Sequence, residues 1–262
     1  MMPQILLTGA AGRLGTHFRA RFAEAGRAVL ATDIVEPVDD GTVVRADLAD
    51  RAAVDELMRQ DISAVVHLGG MSSEAPWQQI LDANIAGTYN IFDAARKAGV
   101  GRVVYASSYH VLGMYPATAV PLDVHAEPRP DTLYAVSKLF GENLGRLYHD
   151  KFGIGCMSVR ICAANPPNTT RDLKLYVDRD DLVSLVTTAL DAPELGYRTV
   201  FAISDNDRAW YVNDPEQTLG WQPSHSSRDL PLPKGKTEWP APDPDVTRLQ
   251  GAAFANWGHF DD

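Results

Sequence analysis

Tyr134 and Lys138 stand four residues apart in the run Thr132-Leu133-Tyr134-Ala135-Val136-Ser137-Lys138. On a helix that spacing sets both side chains on one face, about one turn apart. A free phenol titrates near pH ~10, too high for a base at neutrality. An ammonium beside it favours the phenolate and lowers that value. The pair is therefore suited to take a proton from an alcohol, or to return one. Alone, the same spacing also describes any ordinary exposed helix face. Its meaning has to come from the elements around it.

Upstream, residues 4–7 form a short apolar run, read as a buried strand, followed by Thr8-Gly9-Ala10-Ala11-Gly12-Arg13-Leu14-Gly15. From Gly12 the pattern turns helical, with Leu14, Phe18 and Phe22 recurring every four residues and Ala25-Gly26 closing the element. The next strand, 28–32, ends at Asp33. Strand, glycine turn, helix, strand and acid in that order make a dinucleotide site. Gly9 permits the tight turn, Gly12 the approach of a pyrophosphate, and Gly15 the close packing of helix on sheet. The helix N-terminus offers free N–H groups to the phosphates. Asp33 accepts from ribose hydroxyls and repels a 2′-phosphate, which favours NAD over NADP.

The alternation continues. Strands are expected at 42–45, 64–68, 102–106, 154–161 and 199–203, and helices at 50–59, 76–98, 132–152 and 180–192. The fold class is α/β, a Rossmann doubly wound parallel sheet with a small C-terminal part. Asp47-Leu48 should lie at the adenine end of the sheet, and Leu68-Gly69-Gly70 should let backbone pass close to the cofactor. His67 reads as a packed, hydrogen-bonded residue rather than a base. Ser72 follows the carboxyl end of a strand, where open α/β sheets bind ligands, and is a candidate substrate contact. Asn84 inside a helix is unfavourable by propensity, which suggests a contact near the site. Ser107-Ser108 ends another strand, where a hydroxyl can reach both a substrate oxygen and Tyr134. Asp131 or Thr132 caps the next helix, whose buried side is marked by Leu133, Val136, Phe140, Leu144 and Leu147. Tyr134, Lys138 and Gly145 then face a cleft. Asn165-Pro166-Pro167-Asn168 breaks the rhythm, dividing an NAD-binding domain (1–164) from a substrate-binding part (165–262). Leu219-Gly220-Trp221-Gln222-Pro223 reads as a turn ending a short helix.

Composition narrows the partners. The 262 residues carry 24 basic and 34 acidic side chains, a formal net charge of −10. That balance argues against nucleic acid and anionic membrane, which need a basic footprint. It leaves room for an anionic small molecule held by one local arginine. Cys156 and Cys162 lie too far apart along one strand to be bridged, so reduced core thiols and a cytoplasmic setting are expected. No secretion signal and no apolar run of transmembrane length is read in the sequence. The seven histidines show no metal-ligand spacing with Cys, Asp or Glu, and no metal is expected. Neither a Gly-x-Ser-x-Gly elbow nor a Gly-x-x-x-x-Gly-Lys phosphate loop occurs.

Together, Thr8-Gly9-x-x-Gly12-x-x-Gly15, Asp33, Asp47-Leu48, Ser107-Ser108, Tyr134-x-x-x-Lys138 and Leu219-Gly220-Trp221-x-Pro223 resemble the extended short-chain dehydrogenase/reductases. A nearer likeness is to the uronate dehydrogenase group. It lies in His67-Leu68-Gly69-Gly70-x-Ser72, Ala106-Ser107-Ser108-x-His110, Tyr134-x-Val136-Ser137-Lys138 with Phe140 to Leu144, Val159-Arg160-Ile161, and Pro167-Asn168-x-x-Arg171. Asp180-Asp181-x-Val183-Ser184-Leu185 and Gln250-Gly251-x-x-Phe254 extend it. The resemblance implies NAD-dependent oxidation of the C1 hydroxyl of a cyclic hexuronate or related aldose to its lactone, with Ser108, Tyr134 and Lys138 as catalytic set. It implies a cofactor site of Gly9, Ala11, Gly12, Arg13, Leu14, Gly15, Asp33, Asp47, Leu48, Leu68, Gly69, Gly70, Asn84, Tyr134, Lys138 and Ile161. Ser72, Ser108, Tyr109, His110, Tyr134, Ala163 and Arg171 map to the substrate side, with Arg171 a candidate for the sugar carboxylate. Two positions depart from that group: Tyr109 stands where Asn is typical, and Ala163 where Ser is typical. The same Tyr and Lys also serve nucleotide-sugar epimerases and dehydratases, which return the hydride, and a non-catalytic NAD-sensing regulator is a third reading. Homo-oligomers are expected by analogy with many relatives.

Overall fold

Seven parallel strands form one sheet in the order β3-β2-β1-β4-β5-β6-β7. They are β1 (Gln4–Thr8), β2 (Val29–Asp33), β3 (Val43–Arg45), β4 (Ile62–His67), β5 (Arg102–Ser108), β6 (Gly155–Ile161) and β7 (Tyr197–Ala202). The computed structural model describes residues 3–35 and 41–260. Parallel neighbours need crossovers, and helices supply them: α1 (Arg13–Glu24), α2 (Arg51–Leu57), α3 (Trp77–Ile80), α4 (Gly87–Lys97), α5 (Leu133–Phe152), and, after the single turn α6 (Thr170–Leu173), α7 (Arg179–Asp191). The strand order reverses between β1 and β4, which opens a crevice at their carboxyl ends.

Both faces of the sheet are buried, as in a doubly wound fold. On one, Phe18 and Phe22 of α1 and Leu182, Leu185 and Val186 of α7 pack against Leu7, Val66 and Val104. On the other, Val54 of α2, Ile91 and Phe92 of α4 and Leu144 and Tyr148 of α5 pack against Leu6, Val65, Val103 and Tyr105. Successive residues of β5 thus serve opposite cores, as the two-residue period of a strand requires. The sheet does not stop at residue 164: β7 pairs with β6 from Cys156 opposite Tyr197 to Ile161 opposite Ala202. Cys156 and Cys162 are free and buried. Among the described residues no helix is long and apolar enough to cross a membrane.

Three expectations change. The helix expected over 76–98 is interrupted by a π-helical turn, Leu81–Ala86, between α3 and α4. Such a bulge carries one extra residue per turn and re-aims a side chain, here Asn84. The residues before Leu219-Gly220 form consecutive turns rather than a helix, with Leu219 at φ 59°. The third change concerns α5. Its buried side is Tyr134, Ala135, Ser137, Lys138, Gly141, Glu142, Leu144, Gly145 and Tyr148. Val136 and Leu147 are 47% and 44% exposed, and Leu133 and Phe140 only half-buried. The cause is close approach. A Cβ on Gly141 would lie 2.2 Å from Tyr105 Cζ, and one on Gly145 2.5 Å from Cys156 Sγ. Glycines stand where the helix meets Tyr105 and Cys156, and Val136 and Leu147 are turned outward.

Candidate active site

The turn after β1 has the form a dinucleotide needs. Gly9 is at φ 69°, and a Cβ there would lie 2.8 Å from Gly69 N. A Cβ on Gly15 would lie 2.0 Å from Gly9 O, so α1 can approach the turn only without one. The α1 N-cap, Gly12, supplies no side chain to the amides behind it, and the first turn holds no acid. Those amides stay available to phosphate oxygens. Asp33 accepts from Ala11 N (2.9 Å) through Oδ2 and from Val35 N (3.2 Å) through Oδ1, so it steadies the glycine turn and keeps lone pairs for a ribose. Thr8 Oγ1 accepts from Gly69 N at 3.0 Å and draws Leu68-Gly69-Gly70 to the end of β1. Leu48 packs so closely on Gly69 that a Cβ there would meet its Cδ1 at 2.8 Å. Asp47 is exposed and accepts from Ala49 N at 2.9 Å. The exposed Arg13 and half-buried Leu14 open α1 at this edge, and Ile161 ends β6 across the crevice. The residues present fit a dinucleotide.

Ser108 arrives from the end of β5, Tyr134 and Lys138 from the first turns of α5, and all three are buried. Thr132, not Asp131, caps α5 by accepting from Ala135 N at 3.1 Å. Glu74 accepts from Tyr134 N at 2.8 Å, and Ser137 Oγ donates to Tyr134 O at 2.6 Å, so this backbone is held on both sides. Ser108 Oγ accepts from His110 N at 3.2 Å. Lys138 Nζ lies 5.5 Å from the Tyr134 ring centroid and 5.3 Å from that of Tyr105.

Here the electrostatics depart from the sequence argument. Burial pushes the Tyr134 phenol up to about 12, and the Ser108 hydroxyl, which favours the phenolate, only partly opposes it. Burial likewise pushes Lys138 down to about 8. Desolvation dominates at both groups. His67, the packed residue expected, bonds Thr8 Oγ1 at 2.7 Å and Thr88 Oγ1 at 3.2 Å. Asn84 spends its amide on protein partners: Oδ1 accepts from Met71 N (2.7 Å), and Nδ2 donates to Met71 O (3.1 Å) and Ser137 Oγ (2.8 Å). It links the 70–71 turn to the Ser137 hydroxyl that bonds Tyr134 O.

The opposite wall is aromatic. His110 Nδ1 bonds Asp131 Oδ2 at 2.7 Å, and its ring stacks on Phe254 at 3.9 Å and lies 6.2 Å from Tyr134. The Tyr109 ring lies 4.2 Å from His110 and 5.9 Å from Tyr211. Arg171, buried on α6, donates from Nη2 to Gln250 O at 2.6 Å and sits over Trp210 at 5.3 Å. Its Nε has no partner among the described residues. Ala163 pairs by backbone with Leu175 O (2.8 Å) and Val177 N (3.1 Å). Ser72 is exposed on the rim.

Several members of the site escaped the sequence reading. Glu74 had no periodicity to mark it. Asp131 was read as a helix cap, but its carboxylate is fully buried and serves His110. Gln250 and Phe254 were seen only as part of a likeness, with no spacing to bring them back across the chain. Asp178, Asp180 and His225 each bring a ligand atom within 4.8 Å of the others, a cluster that spacing did not show. Its members are already engaged: Asp180 with His17 and Arg21, His225 with Asp181, and Asp178 with the amide of Asp180.

Comparison with known proteins agrees with this geometry. The model of the NAD dependent epimerase/dehydratase family matches residues 5–175. The uronate dehydrogenase of Agrobacterium fabrum is 41% identical over 261 residues, covering 97% of each chain. The crystal structure of glucuronic acid dehydrogenase from Chromohalobacter salexigens superposes with a TM-score of 0.89 at 39% identity, over 100% of both chains. A tyrosine-to-alanine variant of the Agrobacterium tumefaciens uronate dehydrogenase, complexed with NAD, superposes with a TM-score of 0.86 at 38% identity, over 98% of both.

Proposed function

The chain belongs to the NAD dependent epimerase/dehydratase family, and within it we propose an NAD-dependent dehydrogenase that oxidises the C1 hydroxyl of a cyclic hexuronate or related aldose to the lactone. The observation that carries the reading is the burial of Tyr134 and Lys138 one helical turn apart on α5, with buried Ser108 at the end of β5 and the glycine cradle at the end of β1. NAD, when bound, supplies the acceptor for the hydride that leaves C1. Tyr134, as phenolate, takes the proton of the C1 hydroxyl. Ser108 orients that oxygen and stabilises its developing charge. Lys138 holds the nicotinamide ribose and, when charged, favours the phenolate. Arg171, the buried cation of the substrate wall, takes the sugar carboxylate. Asp33 and the turn at Gly9–Gly15 bind the adenosine and pyrophosphate.

Residues 165–262 contribute the substrate wall, a role supported by the contacts of Arg171, Gln250 and Phe254 around His110 and Tyr109. The outward apolar stripe of α4 and α5 is covered by a second copy of the chain. Two free buried thiols suit a cytoplasmic setting. Spectrophotometric NAD reduction with glucuronate, galacturonate and neutral aldoses, with identification of the lactone, tests the reading. No turnover by protein that demonstrably binds NAD would overturn it. Conversion of a UDP-sugar without net NADH would point instead to an epimerase.

A further inference from the structure

Glu74 is a buried carboxylate that meets no cation among the described residues. The other buried acids each meet a basic side chain: Asp93 meets Arg51, Arg96 and Lys97, Glu142 meets Arg160, and Asp181 meets His225. Glu74 has one bond, in which Oε2 accepts from Tyr134 N at 2.8 Å. A buried charge so sparsely paired is costly. Its place offsets part of that cost, because Tyr134 is the second residue of the 20-residue helix α5 and a helix N-terminus favours a carboxylate. The cap residue Thr132 serves Ala135 N, so Tyr134 N has no partner within the helix and Glu74 takes it. The bond also closes a circuit. Glu74 belongs to the loop after β4, which carries Ser72 on the rim. At the start of that loop Met71 N donates to Asn84 Oδ1 (2.7 Å), and Met71 O accepts from Asn84 Nδ2 (3.1 Å). Asn84 Nδ2 donates in turn to Ser137 Oγ (2.8 Å), which donates to Tyr134 O (2.6 Å). The N–H and the C=O of Tyr134 are thus both tied to one loop, at residues 74 and 71. The Tyr134 side chain packs with Met71 and Ala75 of the same segment.

We propose that Glu74 is a positioning residue for the reaction: by holding the amide of Tyr134 from the loop that carries Ser72, it keeps the phenol in register with the sugar hydroxyl it deprotonates. This rests on the C1-oxidation reading with Tyr134 as base. A base has to stand within hydrogen-bond reach of the proton it takes. The close contacts of α5 with the sheet, at Gly141 and Gly145, lie further along the helix, so its first turn needs a hold of its own. Glu74 supplies that hold through the backbone, and a displacement of about 1 Å in the reacting atoms costs about 10²-fold in rate.

The test compares kcat and NAD affinity of the wild type with those of Glu74→Ala, Glu74→Gln and Glu74→Asp, using NAD with galacturonate and glucuronate well below each variant's melting temperature. Glu74→Ala removes the acceptor, and its kcat should fall by about 10- to 100-fold while the Kd for NAD changes by less than about threefold. Glu74→Gln keeps an acceptor oxygen at the same reach and should recover most of that loss. Glu74→Asp keeps the charge but falls one methylene short of Tyr134 N. It should behave as Glu74→Ala does, and it carries the test if Glu74→Ala does not fold. A merely structural Glu74 would lower the melting temperature and leave the kcat of the folded protein alone. A folded Glu74→Ala or Glu74→Asp variant with kcat within about threefold of the wild type therefore overturns the proposal and leaves C1 oxidation standing. So do a loss carried by NAD affinity and a Glu74→Gln variant as impaired as Glu74→Ala. A wild type that oxidises neither uronate overturns the underlying reading and this inference with it.

Discussion

Arg160 donates to both oxygens of Glu142, Nε to Oε1 and Nη2 to Oε2, each at 2.9 Å, and both side chains are buried. Ser107 adds a third bond to Oε1 at 2.6 Å, and Arg160 Nη1 reaches Val124 O at 3.2 Å. One carboxylate on α5 thereby ties β5, β6 and the loop after β5 together directly behind Ser108. Breaking such a pair strands a buried charge, while replacing both members with apolar groups does not. Glu142→Gln should lose about 3–5 kcal/mol of unfolding free energy in urea titrations. A Glu142→Met/Arg160→Leu double variant should recover much of it. A loss below about 1 kcal/mol in the single variant would show that the pair is not dry.

The outward stripe of α5 carries a second prediction. Val136 and Leu147 are 47% and 44% exposed, and Tyr89 of α4, a helix that packs against α5, is 45% exposed. Charges placed there do not touch the sheet side of the helix. The double variant Val136→Glu/Leu147→Glu should sediment as a folded monomer while the wild type sediments as a dimer or higher oligomer. A monomeric wild type, or an unchanged assembly in the variant, would leave the stripe without this role.

His67 makes acid stability predictable. Burial, and then the nearby Lys138 charge, push its imidazole down to about 3. In the unfolded chain it titrates near ~6.5. Below that pH the unfolded chain takes up a proton that the folded protein refuses, so the contribution is whole above ~6.5 and lost as pH falls toward the folded value. The slope is about 1.4 kcal/mol per pH unit for this one group. Comparing urea unfolding at pH 7 and pH 5 for wild type and His67→Gln isolates it from the carboxylates. The variant should lose less stability on acidification; equal losses would assign the acid sensitivity elsewhere.

Asp33 sets the cofactor preference. Its carboxylate is anchored by Ala11 N and Val35 N at the end of β2. Asp33→Asn keeps an oxygen for one of these amides and removes the charge that repels a 2′-phosphate. The ratio of kcat/KM for NAD over NADP should fall by about tenfold or more, the order of one like-charge contact near the surface. An unchanged ratio would move the discrimination to another residue.

The sheet and the cofactor turn were legible because they depend on local rules. The glycines at 9, 12 and 15, the four-residue recurrence of Leu14, Phe18 and Phe22, and the acid at 33 each have one physical explanation. The periodic argument failed on α5, where Val136 and Leu147 were assigned to the core. Apolarity marks a face that will be buried by something, and does not say whether by the sheet or by another chain. Gly141 and Gly145 were the better signal, since only small residues let a helix lie against Tyr105 and Cys156. The π-turn at Leu81–Ala86 leaves no composition signature, and Glu74, Asp131 and Phe254 reach the site only through tertiary contacts. The direction of the Tyr134 shift was also not legible, because spacing reveals the lysine but not the desolvation.

The most direct test of the account is the Tyr134→Phe variant, assayed with NAD and galacturonate or glucuronate alongside NAD binding by fluorescence quenching. Removing the base should lower kcat by about 10²- to 10⁴-fold while NAD affinity changes little. A variant that binds NAD and still forms the lactone at more than about a tenth of the wild-type rate would contradict Tyr134 as the base.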